Sequence, residues 1–158
     1  MQHVIGIAEM KVTDRAEDVL VTYSLGSCVG VSLYDPAAGV GGMIHCMLPL
    51  SKIDPVKAQA NPSMFTDVGV PNLIQAVFDL GADRRRIVAK VAGAASLLDD
   101  KGLFKIGERN YTVLRKVLWK NNIMVAAEDV GGSASRTMHL YMESGRTTIK
   151  SGGNEVEL

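Results

Sequence analysis

From Val19 to Ser51 the chain carries one charged residue, Asp35, and the sixteen residues on either side of it contain no Lys, Arg, Asp or Glu. A run this apolar has to be buried, but glycines and polar groups interrupt both halves, so neither half can span a bilayer. Its period is two. Val19, Val21, Tyr23 and Leu25 alternate with Leu20, Thr22 and Ser24, and Val29, Val31 and Leu33 alternate with Gly30, Ser32 and Tyr34. Alternation of this kind places successive side chains on opposite faces of a β-strand. A turn at Gly26-Ser27 separates the two runs, Asp35-Pro36-Ala37-Ala38-Gly39 reads as the next turn, and a further strand over 40–48 is stopped by Pro49. With residues 3–12 as the first strand, four strands precede any helix.

Residues 51–62, with Pro55 and Pro62, read as a polar connection without periodicity. Over 63–80, Val70, Leu73, Ile74, Val77 and Phe78 recur at helical spacing, with Gly81 placed as the C-terminal stop. Arg84-Arg85-Arg86 reads as a solvated cluster near the negative end of that helix. Residues 87–91 form a short buried-type strand, 93–104 a Gly/Ala/Asp loop, 108–121 an amphipathic helix and 123–127 another strand, the outline of a strand-helix-strand unit. A hairpin over 138–142 and 147–150 turns at Ser144-Gly145-Arg146, and 152–158 reads as a frayed tail. No repeat, linker or low-complexity block divides the chain, so 1–158 is expected to be a single domain. Strands first and helices packed on them predict an α+β fold, a layered sandwich of mixed β-sheets with flanking helices.

The 17 Lys and Arg balance 17 Asp and Glu. Zero net charge provides no electrostatic basis for binding nucleic acid or an anionic membrane surface, so neither is expected as a partner. The N-terminus MQHVIGIAEMKV lacks the basic start and continuous apolar core of a secretory signal, and a cytoplasmic location is expected. Two cysteines are too few for a disulfide scaffold and suit a reducing compartment. No CxxC or HxxxH spacing is available to hold a metal ion.

Cys28 lies in Leu25-Gly26-Ser27-Cys28-Val29-Gly30, a tight bend whose small neighbours leave room for a substrate and whose backbone N–H groups can converge on an oxyanion. Gly26 and Ser27 are the candidates for that oxyanion or substrate loop. Most lone cysteines are structural, but those sit among aliphatic residues on the core face of an element rather than in a glycine turn. His45 shares its strand face with Met43 and Met47, while Cys46 points the other way with Ile44 and Leu48 and is assigned to the core. A histidine so placed reads, taken alone, as a hydrogen-bonded core residue. Thr22, alone, is only a β-branched strand residue. Together, Thr22, Cys28 and His45 fall on three consecutive strands or their ends, close enough for a hydroxyl, a thiol and an imidazole to meet as a cysteine hydrolase requires.

Three segments, Leu25-Gly26-Ser27-Cys28-Val29, His45-Cys46-Met47-Leu48-Pro49 and Ile106-Gly107-Glu108-Arg109-Asn110, resemble in order and spacing the CheD family of chemoreceptor glutamine deamidases. The resemblance covers residues 4–150. It implies a fold similar to the cysteine deamidases of the cytotoxic necrotizing factor type, with Cys28 as nucleophile, His45 as general base and Thr22 completing the triad. It further implies a protein-glutamine glutaminase that needs no cofactor, forms a thioester and releases ammonia, with the cytoplasmic domain of a methyl-accepting chemotaxis receptor as substrate. A second role comes with the family, that of an adaptor which binds and stimulates a CheC-type CheY-phosphate phosphatase. Transglutamination is the nearest rival chemistry, since an amine can take the same acyl group. The sequence departs from the family's Lys-x-Phe-Gly-Gly-Ala segment at Ala92 and Ala94, and from its Gly-Gly-x-x-Gly-Arg loop at Ser135, which bears on substrate or partner preference more than on the reaction.

Overall fold

The apolar, alternating first third does fold as strands, and these divide between two sheets. The computed structural model describes residues 1–96 and 105–158. In chain order the elements are β1 (Gln2–Val4), β2 (Met10–Thr13), β3 (Val19–Leu25), β4 (Val29–Asp35), β5 (Val40–Cys46), α1 (Pro55–Ala60), α2 (Thr66–Asp79), β6 (Val88–Gly93), α3 (Ile106–Lys120), β7 (Val125–Val130), β8 (Arg136–Tyr141), β9 (Arg146–Ser151) and β10 (Asn154–Glu157). One sheet has the order β1-β3-β8-β9-β10 and the other β2-β5-β4-β6-β7. The β1/β3 and β6/β7 pairs are parallel and the rest antiparallel, so both sheets are mixed.

Strand alternation sorts the second sheet's side chains into two cores. Val29, Val31, Leu33, Ile44 and Cys46 face the helices and pack with Leu73, Val77, Leu114 and Leu118. Met43 and Ala92 face the first sheet and pack with Leu20, Leu25, Met138, Leu140 and Met142. The result is three layers, sheet on sheet on helices, and the expected layered α+β sandwich is what forms. Gly30 belongs to the inter-sheet face; a Cβ there would lie 2.9 Å from Leu25 and 3.1 Å from Met138 Sδ, so glycine lets the sheets approach. The strand-helix-strand unit expected after residue 87 is present as β6-α3-β7, with its strands in parallel register. Among the described residues no helix is long and apolar enough to cross a membrane.

Several local expectations are corrected. Residues 3–12 form two strands, not one, because the chain crosses from the first sheet to the second between Ile5 and Glu9, where Ala8 takes a left-handed conformation (φ 65°). Five strands therefore precede the first helix. The connection over 51–62 contains α1, capped by Asp54, whose carboxylate accepts from Lys57 N–H, with Pro55 opening the helix. Residues 152–158 are not frayed. Gly152 and Gly153 both have positive φ, the two-residue hairpin geometry, and turn β10 back onto β9 in antiparallel register. The loop expected over 93–104 lies largely outside the described residues.

The Arg84-Arg85-Arg86 cluster is also more than solvated charge. Arg86 reaches the fully buried Asp35 carboxylate at 3.0 Å, and Ala37, Ala38 and Asp83 donate their backbone N–H groups to the same side chain. Burial alone would raise the Asp35 pKa, but Arg86 and the three N–H groups outweigh it and hold the group at about 2. The one charge interrupting the apolar run is thus the anchor of the β4–β5 turn.

Candidate active site

The crossover between Ile5 and Glu9 runs from the middle of β3 to the end of β5 and organises Thr22 and His45. The His45 backbone donates to Glu9 O at 3.1 Å and accepts from Ala8 N–H at 2.9 Å. Thr22 Oγ1 lies 2.7 Å from His45 Nδ1 and donates its hydrogen to Ile5 O, also at 2.7 Å. A hydroxyl has one hydrogen. With that hydrogen on Ile5, Thr22 can only accept from the ring, so the proton sits on Nδ1 and Nε2 is left with a free lone pair. Nε2 is buried and has no hydrogen-bond partner among the described residues.

Cys28 directly precedes β4, and Gly30, two residues on, pairs opposite His45. Residues two apart share a strand face, and the half-buried Cys28 packs against the inter-sheet cluster, the side to which His45 and Thr22 belong. Three successive carbonyls of the turn are tied down. Gly26 O accepts from Ala95 N–H at 2.9 Å, Ser27 O from Asn110 Nδ2 at 2.9 Å, and Cys28 O from Ala94 N–H at 2.8 Å. This close approach requires glycine at Gly93, where φ is +102° and a Cβ would lie 2.4 Å from the Cys28 oxygen.

Of the two oxyanion candidates the structure removes one as a backbone donor. The Gly26 N–H is already given to Ser24 O at 3.0 Å. Among the described residues the Ser27 N–H has no partner and the Cys28 N–H meets only its own side-chain sulfur, so both remain able to bind an oxyanion. Cys46 is fully buried on the helix side of β5, as its alternation requires, and burial raises its thiol pKa strongly. His3 pairs with Asp18 at 3.3 Å and His139 stacks on Tyr141, so neither joins the site.

Burial also lowers the His45 pKa to about 4 and raises that of Cys28 above its ordinary 9.0. Near neutrality the resting pair is therefore thiol and neutral imidazole, not thiolate and imidazolium. Alkylation of Cys28 by iodoacetamide should accordingly stay slow between about pH 5 and 8 and climb steadily above that range. A fast plateau on the acid side of neutrality, measured by site-resolved mass spectrometry, is the result that contradicts a neutral pair.

A family model described as CheD chemotactic sensory transduction matches residues 47–151. A relative from Solibacter usitatus, named a probable chemoreceptor glutamine deamidase CheD, is 50% identical over 157 residues, 99% of this chain and 93% of its own. A relative from Syntrophus aciditrophicus, named probable chemoreceptor glutamine deamidase CheD 1, is 44% identical over 95% of this chain and 94% of its own. The chain belongs to the CheD family. Among solved structures, the hypothetical protein YfiH of Bacillus licheniformis overlaps with a TM-score of 0.46 and 18% identity, covering 78% of this chain. The chain spans 49% of that structure, and a likeness this slight carries no functional argument.

The departures from the CheD pattern have visible local consequences. Ala94, where the pattern has glycine, adopts φ 52°, a left-handed conformation that costs an L-residue roughly 1–2 kcal/mol. Ala92, where the pattern has phenylalanine, is fully buried in the inter-sheet core. Ser135 is exposed. Two contributors were not legible as site residues. Ile5 acts through its carbonyl, which any residue type possesses. Asn110 stood in the resembling Ile106-Gly107-Glu108-Arg109-Asn110 segment, and an amide inside a helical pattern was the one available signal.

Proposed function

We propose that this chain is a cysteine-dependent protein-glutamine deamidase that converts glutamine side chains on the cytoplasmic domain of a chemoreceptor to glutamate. The single observation that carries the mechanism is the Thr22–His45 contact, which leaves His45 Nε2 as an unprotonated base. His45 Nε2 takes the Cys28 thiol proton as sulfur attacks the carboxamide carbon. The carbonyl oxygen becomes an oxyanion within reach of the Cys28 N–H, with the Ser27 N–H as the second donor. Collapse of this intermediate breaks the C–N bond, and His45 returns its proton to the departing nitrogen, which leaves as ammonia. The thioester remains. Water then attacks the thioester carbon, again losing a proton to Nε2, and the C–S bond breaks to give glutamate and the Cys28 thiol.

Thr22 orients the ring as a neutral acceptor, so it stabilises the transient imidazolium less than a carboxylate would. This suits a base with a low pKa. None of the steps calls for a cofactor, and a receptor substrate of this kind puts the reaction in the cytoplasm. Family membership and the names carried by the relatives support the choice of substrate.

Intact-mass spectrometry of a receptor cytoplasmic fragment incubated with the protein tests the proposal. The expected result is a gain of about one dalton per modified site, with ammonia released, as acyl transfer to water requires. An amide-linked product formed with an added amine in place of that gain points to transglutamination. No change in a competent receptor overturns the enzymatic reading and leaves phosphatase binding as the role to examine.

A further inference from the structure

We infer that Asn110 is a positioning residue for the reaction: by holding the Ser27 carbonyl it sets the direction of the Cys28 N–H, the donor that meets the oxyanion. The inference rests on the deamidase reading above. Asn110 is fully buried in the second turn of α3. Its amide nitrogen lies 2.9 Å from Ser27 O and 3.1 Å from Met47 O, and its oxygen 3.3 Å from Thr66 Oγ1. Both carbonyls can only accept, so the atom facing them must be the NH2, and both of its hydrogens are used.

The Ser27 carbonyl and the Cys28 N–H belong to one peptide unit. A trans peptide is planar, with C=O and N–H antiparallel, and the described chain has no cis bond. Leu114 and Leu118 of α3 pack with Val29, Ile44 and Cys46, on the face of the sheet opposite the one His45 shares with Met43. A carbonyl drawn toward α3 therefore turns the N–H of the same unit toward the His45 side. The hydrogen bond to the carbonyl also polarises the amide and strengthens the N–H as a donor.

The second hydrogen bond extends the clamp to the base. Met47 is two residues beyond His45, so one side chain ties the nucleophile turn to the end of the strand bearing the imidazole. The approach of α3 needed for this depends on Gly107, where a Cβ would lie 2.4 Å from Ala95 O and 2.8 Å from Ala94 O. Helix stability gives no reason for an amide here, since Asn is a weak helix former. Its position answers to the two carbonyls.

The test compares full-length wild type with Asn110→Ala and with the near-isosteric Thr66→Val, which replaces with a methyl the hydroxyl beside Asn110 Oδ1, Leu48 O and the Cys46 thiol. The readouts are kcat and KM on the receptor fragment, thermal stability, and the rate of Cys28 alkylation by iodoacetamide. Alkylation displaces iodide at a saturated carbon and develops no oxyanion, so it reports the thiol without the donor. For Asn110→Ala, kcat should fall about 10- to 100-fold, with KM and alkylation rate nearly unchanged. For Thr66→Val the same pattern should appear at about threefold to tenfold, and this variant decides the matter if Asn110→Ala does not fold. Unchanged kcat, or kcat and alkylation falling together, overturns the inference. A wild type that leaves the receptor mass unchanged overturns the deamidase reading, and the inference with it, whereas an active wild type beside an equally active Asn110→Ala overturns the inference alone.

Discussion

Cys28→Ala is expected to lower receptor deamidation by about 10⁴-fold or more while leaving the thermal transition nearly where it was. The first part follows from chemistry: without sulfur no acyl-enzyme forms, and what remains is the contribution of binding and the oxyanion donors. The second follows from burial, since Cys28 is half-exposed in a turn whose shape is held by backbone hydrogen bonds rather than by its side chain. Cys46→Ala should behave in the opposite way. Cys46 is fully buried among Val29, Ile44 and Val70, so losing its sulfur opens a small void costing about 1–2 kcal/mol, with activity retained at temperatures where the variant is folded. His45→Ala should resemble Cys28→Ala in activity. Paired assays of ammonia release and thermal melting on the three variants separate the two cysteines, and substantial deamidation by Cys28→Ala removes it as the nucleophile.

Thr22→Val should lower kcat by about 100-fold with little change in KM, because it acts on the protonation state of His45 rather than on substrate contacts. Thr22 is fully buried and its hydroxyl has two tasks, giving a hydrogen to Ile5 O and taking one from His45 Nδ1. Valine has the same shape and can do neither. The ring is then free to carry its proton on Nε2, where it faces the thiol as a donor instead of a base. The unpaired Ile5 carbonyl and ring nitrogen should also cost about 1–3 kcal/mol of stability. Thr22→Ser restores both hydrogen bonds and should recover activity to within about tenfold of wild type. Steady-state kinetics of the two variants beside their melting temperatures decide the point; equal losses in valine and serine variants show that Thr22 acts through packing and not through the ring.

Most of the strand and helix content could be read from the sequence because it depends on neighbours along the chain. β3, β4 and β5 follow from period-two alternation between turns, α2 and α3 from apolar residues at helical spacing, and the opposed faces of His45 and Cys46 from strand parity alone. β10 was legible in principle, since Gly152-Gly153 is a hairpin signal, but the polar residues after it lack the apolar alternation that marks a buried strand. Arg86 shows the opposite limit. No local pattern distinguishes it from Arg84 or Arg85, and its partner Asp35 lies fifty-one residues away.

What the sequence by itself determined about this protein is its family, through the motifs around Cys28, His45 and Asn110, and, through local periodicity, the opposed faces of His45 and Cys46 and the layered α+β class. Only the tertiary structure decided which sheet each strand joins, which nitrogen of His45 keeps its proton and which backbone N–H groups of the Cys28 turn remain open to a ligand. The ring tautomer depends on a carbonyl brought from another strand, Ile5 for Thr22, and the Cys28 turn on a tight local bend, with Gly26 N–H given to Ser24 O, and on the Asn110 side chain reaching back from α3. A carbonyl is common to every residue, so its placement leaves no trace in residue type, and only the folded chain shows where it points.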